Sequence, residues 1–258
     1  MKKLLTLVAC LAFAGALQAQ SVLTQGNPYA SNMKTGNRPG AGDWGLYIGP
    51  SYSEVMDMVN CFSKFSSIDA VRGLPLLNVK YYTSDHFELR GGLQYYKLGY
   101  RSNGTELLTN AEQTLKTSEW FFRLIPGCAY HFSSKNVLDV YAGASLPLGF
   151  EGQTYKNETP TLVNNEYRKS FCVGLEAFVG LQAFVADLPL SIGLEYGFGG
   201  MFHTGEKIKH EATDMNGAVQ TTYSDLYGSL DYQDDFKANS GVFGSDFRFT
   251  ITYYFNNK

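Results

Sequence analysis

Eight stretches of this 258-residue chain alternate between apolar residues and polar or small ones, and this pattern constrains the fold more than any other feature. Side chains that repeat with a period of two lie on one face of a β-strand. Helical periodicity is scarce by comparison, so the sequence predicts an all-β protein. The runs are DWGLYIGPSY (43–52), LLNVKYY (76–82), FELRGGLQY (87–95), EWFFRLIPGCAYHF (119–132), VLDVYAGASLPLGF (137–150), FCVGLEAFVGLQA (171–183), LSIGLEYGFGG (190–200) and FRFTITYYF (247–255).

The composition supports the same conclusion and excludes one class of partner. Aromatic residues make up 15% of the chain and charged residues only 17%, with 27 glycines. Aromatic side chains suit a pleated surface, and glycines allow the tight curvature of a small barrel. The formal net charge is only -3, so nothing indicates a nucleic-acid partner.

The lengths of the connections between the runs decide what kind of β-structure forms. Runs two and three, four and five, and six and seven are joined by the short segments TSDH, SSKN and ADLP. The other connections are long, at about residues 53–75, 101–118, 151–169 and 201–242. Short turns at one end and long loops at the other are typical of bacterial outer-membrane barrels. We therefore predict a transmembrane, antiparallel, up-and-down barrel of eight strands, with both termini in the periplasm.

Two alternatives to this architecture stay open at the level of sequence. VQTTYSDLYGSLDY (219–232) could form an extra hairpin, which would give ten strands, or could extend strands seven and eight above the membrane. Eight alternating runs could also form a secreted β-sandwich whose charged face is simply its wet surface. The many glycines on the polar face and the strict alternation of long and short connections favour the barrel.

The first residues predict export. Lys2 and Lys3 precede an apolar run and a small-residue cleavage site after Ala19, which together form a secretory signal peptide over 1–19. We predict that residues 20–42 form a flexible arm and that residues 43–258 form the barrel. The barrel is predicted to lie in the cell outer membrane. Three cysteines remain in the exported chain, and the sequence does not assign a disulfide among them: Cys61, Cys128 and Cys172.

The polar face of the runs carries isolated charges of both signs, and we predict that it points into the barrel. Eight strands enclose a space just wide enough for side chains, whereas the aromatic and aliphatic face suits lipid. Charges in so narrow a lumen should pair, because an unpaired buried charge is very costly. The predicted lumen network consists of Lys80, Glu88, Arg90, Arg123, Asp139, Glu176, Glu195, Asp246 and Arg248. We favour a permanently filled core; the alternative is a salt-bridge plug that opens to pass small solutes.

No pattern points strongly to catalysis, to a metal or to a cofactor, so we predict none of the three. The alternative is an outer-leaflet lipid hydrolase, in which a Ser or Thr nucleophile pairs with His203, and Asp214 or Asp225 orients that histidine. His210 lies at the base of the same loop. The tyrosines and small polar residues of the loops suit contact with an extracellular ligand or host surface instead.

The fourth run carries a resemblance to a known family. EWFFRLIPGCAYHF resembles the fourth-strand segment of the PorT-like outer-membrane β-barrel family of the Bacteroidota, in which a proline lies mid-strand as Pro126 does here. The signal peptide, the eight runs and the final aromatic strand also resemble OmpA/OmpX-type barrels. This resemblance implies an outer-membrane location and assembly by the barrel-insertion machinery, but it implies no activity. We predict a monomer that acts as a structural scaffold and presents its surface loops for adhesion or binding. The last strand resembles the signal that this machinery reads, through Phe249, Ile251, Tyr253 and Phe255.

Overall fold

The computed structural model describes residues 38–52, 74–105, 110–132, 138–185, 188–225, 231–232 and 238–255. The predicted signal peptide, the predicted arm up to residue 37, and Cys61 lie outside the described residues. None of the described residues belongs to a helix long and apolar enough to cross a membrane.

Nearly all of the described chain is β-strand. The strands are β1 (Trp44–Gly49), β2 (Leu74–Ser84), β3 (Phe87–Thr105), β4 (Glu112–His131), β5 (Leu138–Ser145), β6 (Leu148–Glu158), β7 (Val163–Phe184), β8 (Leu190–Thr213), β9 (Val219–Ser224), β10 (Asp231–Tyr232) and β11 (Asn239–Phe255). Every pairing among them is antiparallel.

The sheet closes on itself into a barrel. β11 pairs with β8 on one side and with β1 on the other, and the last described residue, Phe255, lies opposite Trp44. β5 and β6 both lie between β4 and β7, so they occupy one strand position that is interrupted at Leu146 and Pro147. Proline has no N–H for the ladder, which explains a break there. Over the described residues the ring therefore has eight strand positions, as the sequence predicts.

The ten-strand alternative is resolved by the position of β9 and β10. These two strands form the additional hairpin, but only β9 pairs with the upper part of β8, from Ile208 to Thr213, and β10 pairs with β9, so neither strand enters the ring. The lower part of β8 pairs with β11 instead. The hairpin therefore extends one side of the barrel outward without widening it.

The predicted boundaries of the long connections are wrong in one respect, because the strands run much further. β3 and β4 pair continuously up to Thr105 and Glu112, inside the connection predicted at 101–118. β6 and β7 likewise pair as far as Glu158 and Val163. Above the apolar segments both faces of these strands are polar, so the period-two signal disappears although the backbone pairing continues.

Large apolar side chains cover the outside of the barrel, and we call this surface the apolar band. It includes Leu46, Ile48, Val79, Leu89, Leu93, Phe122, Leu124, Leu175, Val179, Leu181, Ile192, Leu194, Phe198, Phe249 and Ile251, all substantially exposed. On β8 the alternation is sharp: Leu194 is 40% exposed, whereas the next residue, Glu195, is 1% exposed. Charged residues lie inside and apolar residues outside, the reverse of a water-soluble barrel.

Aromatic rings mark both ends of the apolar band. On β4 the outward side chains of Trp120 and Tyr130 are ten residues apart. At about 3.4 Å per residue and a strand tilt of roughly 40°, this separation spans about 26 Å along the barrel axis. Trp44 and Tyr81 meet at the lower end with ring centroids 4.6 Å apart. This height matches the apolar band of outer-membrane barrels, which is about 25 Å tall.

The interior is packed tightly enough for single methyl groups to matter. A Cβ atom at Gly180 would lie 2.1 Å from the Tyr141 ring, whereas a Cβ at Gly91 meets nothing within 4 Å. We therefore expect Gly180→Ala to lower the unfolding stability by about 1–3 kcal/mol, because overpacking displaces the buried ring. Gly91→Ala is the matched control on the outer face. Thermal unfolding in detergent would measure both, and equal midpoints would contradict this packing.

Candidate functional site

The inward side chains are brought together by the register of neighbouring strands. Lys80 on β2 lies opposite Arg90 on β3, and Arg248 on β11 lies opposite Glu195 on β8. Glu195 in turn lies opposite Gly180 on β7, and the Tyr141 ring occupies the space left by that glycine. The inward residues of neighbouring strands therefore place charged groups and aromatic rings at the same level of the barrel interior, and glycines leave space for these side chains.

Glu195 is the centre of this interior cluster. One of its oxygens accepts a hydrogen bond from Arg90 Nη1 at 2.6 Å, and the other accepts one from Arg248 Nη1 at 3.0 Å. The Tyr141 hydroxyl donates to the first oxygen at 3.1 Å, and Tyr47 approaches the second at 3.4 Å. A single buried carboxylate thus joins two guanidinium groups from different walls, supported by two phenols.

Below Glu195 the cluster continues through two more carboxylates. Arg90 Nε donates to Glu88, whose other oxygen lies 3.1 Å from His131 Nε2 and 3.5 Å from Lys80 Nζ. His131 Nδ1 lies 2.5 Å from Asp139 Oδ2. Both ring nitrogens of His131 therefore face carboxylate oxygens, an arrangement in which a protonated imidazolium donates to both.

The cluster reaches the lower mouth of the barrel at Asp139. Its second oxygen lies 2.9 Å from Arg38 Nη2, and Gln182 donates to the first oxygen at 2.8 Å. The Arg38 guanidinium also lies over the Phe184 ring, 4.8 Å from its centroid. A residue of the segment before β1 thus lies across the lower opening.

Above Glu195 the cluster ends at a set of more exposed groups. Arg248 Nη2 donates to Glu176, and Arg248 Nε donates to Asp246 at 3.0 Å. Ser145 donates to the other oxygen of Glu176 at 2.8 Å. Asp246 keeps 43% of its side chain exposed, so it lies at the upper boundary of the packed region.

Aromatic rings enclose the central guanidinium. The Arg90 carbon Cζ lies 4.4 Å from the Phe178 ring centroid, 5.0 Å from Tyr141 and 5.5 Å from Tyr47. Lys80 Nζ also lies 4.9 Å from the Tyr47 ring. Cation–π contacts of this kind strengthen when they are removed from water, so the rings stabilise the buried charges and also fill the lumen.

Little free volume remains at this level. The space bounded by Asn78, Arg90, Glu195 and their neighbours amounts to about 10 Å³, roughly the minimum that holds one water molecule. A larger cavity of about 410 Å³ lies above it, bordered by Gln94, Arg123 and Arg248. The upper lumen is thus a vestibule that is closed below by the charged cluster.

The structure brings together all but one of the charges that the sequence assigned to the lumen. Arg123 is separate, because its Nη2 lies 3.4 Å from Glu151 Oε2, higher in the barrel. Sequence reasoning missed His131, although it alternates with Arg123 on the same face of the fourth run. It also missed Arg38, for which the loose polar segment 20–42 gives no signal.

Arg123 belongs to a second, upper cluster. Glu151 Oε1 lies 2.9 Å from His203 Nδ1 and 3.9 Å from Arg168, which also binds Glu206. One ligand atom each from Glu151, His203 and Glu206 lies within 4.8 Å of the others, a spacing that could hold a metal ion. Two guanidinium groups already neutralise the two carboxylates, so the contacts suit an ion-pair network. The absence of a metal stays a prediction.

The histidines that suggested hydrolysis have other partners. His203 contacts Glu151, while Asp214 Oδ1 accepts the backbone N–H groups of Asn216 and Ala218 at 2.9 and 2.8 Å and so holds the turn after β8. His210 Nε2 instead lies 2.7 Å from Ser224 Oγ.

A carboxylate completes this second pair. His210 Nδ1 lies 3.4 Å from Glu166 Oε1. Ser224, His210 and Glu166 are therefore connected in the same sequence as the nucleophile, base and acid of a hydrolase triad. Ser224 is only 2% exposed, however, so its hydroxyl is closed to a substrate in this arrangement.

The two described cysteines are free thiols. Cys172 is buried in the interior, and Cys128 is half-buried. No disulfide joins them, and Cys61 lies outside the described residues.

Removing the central carboxylate should destabilise the barrel strongly. Glu195→Gln leaves Arg90 and Arg248 without their shared charge, so we expect a loss of about 3–5 kcal/mol in unfolding free energy. Asp246→Asn removes a carboxylate from the exposed end of the same cluster, and we expect less than about 1 kcal/mol there. Urea unfolding in detergent micelles or vesicles measures both. Similar losses for the two variants would show that Glu195 is not the centre.

Comparisons with known proteins add a structural similarity. A scan of protein families found no matching family, and a search of curated proteins found no match either. Among solved structures, the chain is similar to the crystal structure of a major outer membrane protein from Thermus thermophilus. The TM-score is 0.43 and the sequence identity 11%, over 83% of this chain and 100% of that chain.

Proposed function

We propose that this protein is an integral outer-membrane β-barrel that works as a closed scaffold, without catalytic activity, and presents its upper strands and loops to the outside. The observation that carries this proposal is the arrangement of polarity: paired charges fill the interior, and the apolar band covers the exterior. A water-soluble protein rarely exposes so large a continuous apolar surface. In a bilayer the same surface contacts lipid, and a closed barrel satisfies its backbone hydrogen bonds.

The filled lumen supports a scaffold over a pore. Side chains from most of the strand positions meet at the level of Glu195 and leave about 10 Å³ of free volume. Opening a path would require Arg90 or Arg248 to leave its carboxylate while still surrounded by protein, which is costly. This cost favours the closed scaffold over the narrow or gated pore that the sequence left as an alternative.

The upper part of the barrel supports a role in binding. β3, β4, β7 and β8 rise well above the apolar band, and the β9–β10 hairpin enlarges one side of this extension. Paired strands hold their side chains more rigidly than free loops do, which lowers the entropy lost on contact with a ligand or host surface. We propose that such a partner is recognised there by a monomer.

Electrical recordings test the closed scaffold directly. We expect purified wild-type protein to insert into planar bilayers without stepwise conductance, because the Glu195 level is filled. Glu195→Gln, which weakens that level, provides the comparison. Steady open channels in the wild-type protein would overturn the scaffold and favour the pore.

We also propose that the barrel-insertion machinery reads the end of β11, through Phe249, Ile251, Tyr253 and Phe255. Phe255 pairs with Trp44 at the closing seam. Phe255→Ser should therefore reduce surface levels several-fold more than Phe249→Ser, which removes an equivalent ring from the apolar band. Quantitative surface labelling of the two variants measures this difference, and equal levels would argue against a signal at the chain end.

A further inference from the structure

A cluster of lysines lies on the outer wall of the barrel, above the apolar band. Lys169 on β7 lies directly opposite Lys207 on β8, and Lys209 follows two residues later. Lys209 lies between Tyr167 on β7 and Tyr223 on β9. These five residues and Glu211 line a hollow of about 430 Å³, which we call the lysine hollow.

A bulge in β8 turns these lysines outward. The register between β7 and β8 shifts between Phe171 and Lys169, and Gly205 adopts a φ of +71° on the facing strand. A bulge inserts one extra residue and reverses which residues face outward above it. Without the bulge, Lys207 and Lys209 would point into the barrel. The backbone thus places the three ammonium groups on one external face.

The lining of the lysine hollow is predominantly basic. Glu211 is the carboxylate that lines it, and its Oε1 lies 2.6 Å from Lys209 Nζ, an interaction that raises the pKa of this lysine. Lys207 Nζ lies 5.5 Å from the Tyr223 ring centroid. Like charges directly opposite each other in a sheet repel, and a phosphate placed beside Lys169 and Lys207 would reduce that repulsion.

A second pair of opposed lysines in this protein shows how two such side chains bind one anionic group. Lys116 on β4 lies opposite Lys156 on β6, and both bind Glu158, with Lys116 Nζ at 3.0 Å. These two ammonium groups lower the pKa of Glu158 to about 2, so it stays ionised. Two lysines on opposed strands thus hold one anionic group between them, which is the arrangement that a phosphate would adopt between Lys169 and Lys207.

The height of the lysine hollow identifies the anion. Lys169 lies two residues above Phe171, whose ring packs 5.1 Å from that of Phe150 at the top of the apolar band. Two residues of strand correspond to about 7 Å, which places the ammonium groups at the level of the lipid headgroups. Tyrosine rings beside the lysines suit this interface as well.

We propose that the lysine hollow binds the phosphate groups of outer-leaflet lipid headgroups and so fixes phosphorylated lipid to one side of the barrel. This inference rests on the proposed membrane location and adds a specific lipid class to it. The alternative is that the lysine hollow is a solvated basic surface that does not discriminate between lipids.

The test uses the full exported chain and two triple variants of equal charge. Lys169→Gln, Lys207→Gln and Lys209→Gln together remove the hollow's charges. The control variant carries Lys97→Gln, Lys116→Gln and Lys156→Gln, which remove three lysines of the upper β3, β4 and β6 that do not line the hollow. Native mass spectrometry in neutral detergent measures binding of bis-phosphorylated lipid A, of the same lipid without phosphates, and of inorganic phosphate.

We expect the first triple variant to bind the bis-phosphorylated lipid roughly 100-fold more weakly than wild type, since each of the three lysines near an anionic surface contributes about a factor of five at low salt. The control variant should change binding by less than about threefold. Equal binding by both variants would overturn the proposal, and so would equal affinity for the dephosphorylated lipid or for inorganic phosphate.

Insertion into neutral phosphatidylcholine vesicles separates this inference from the membrane location on which it rests. All three proteins should insert, because the apolar band is unchanged. Insertion without selective lipid binding would refute the lysine hollow alone. Failure of the wild-type protein to insert would refute the membrane location itself.

Discussion

The pairing of charges inside the barrel is the constraint on which the rest of the structure depends. Glu195 forms ion pairs with both Arg90 and Arg248, and Glu88 forms ion pairs with both Arg90 and Lys80. Loss of either carboxylate would therefore remove a partner from two buried cations. Buried ions are tolerated only when their partners and hydrogen bonds are complete. The strand register, the glycines opposite large rings and the phenols around Glu195 all follow from this requirement.

The barrel consequently has two levels with different structural roles. The lower level is a packed, charged core that fills the lumen. The upper level is a paired extension with its own cluster around Glu151, the larger vestibule, and an outer face that the bulge at Gly205 turns basic. The lower level fills the lumen inside the apolar band, and the contacts that we propose with lipid headgroups and an extracellular partner belong to the upper level.

Much of this could be predicted from the sequence, and the failures have physical reasons. The eight strand positions follow from a period of two that only a half-apolar strand displays. That signal ends where both faces become polar, so the sequence predicts loops for the upper halves of β3, β4, β6, β7 and β8. The sequence also does not predict ion pairs between residues that are far apart along the chain, such as Arg38 and Asp139. The reversal at Gly205 depends on a single backbone conformation, which no residue pattern reveals.

The most direct test of the membrane-embedded barrel is a spin-label scan of four outward positions of β8 in vesicles, Leu194, Tyr196, Phe198 and Lys209, with the native cysteines replaced. Lipid-soluble oxygen and a water-soluble nickel complex compete to relax each label. The account predicts high oxygen accessibility at Leu194, Tyr196 and Phe198, in the apolar band, and high accessibility to the nickel complex at Lys209, above it. High accessibility of the apolar face to the nickel complex would contradict it, because that face would then be meeting water.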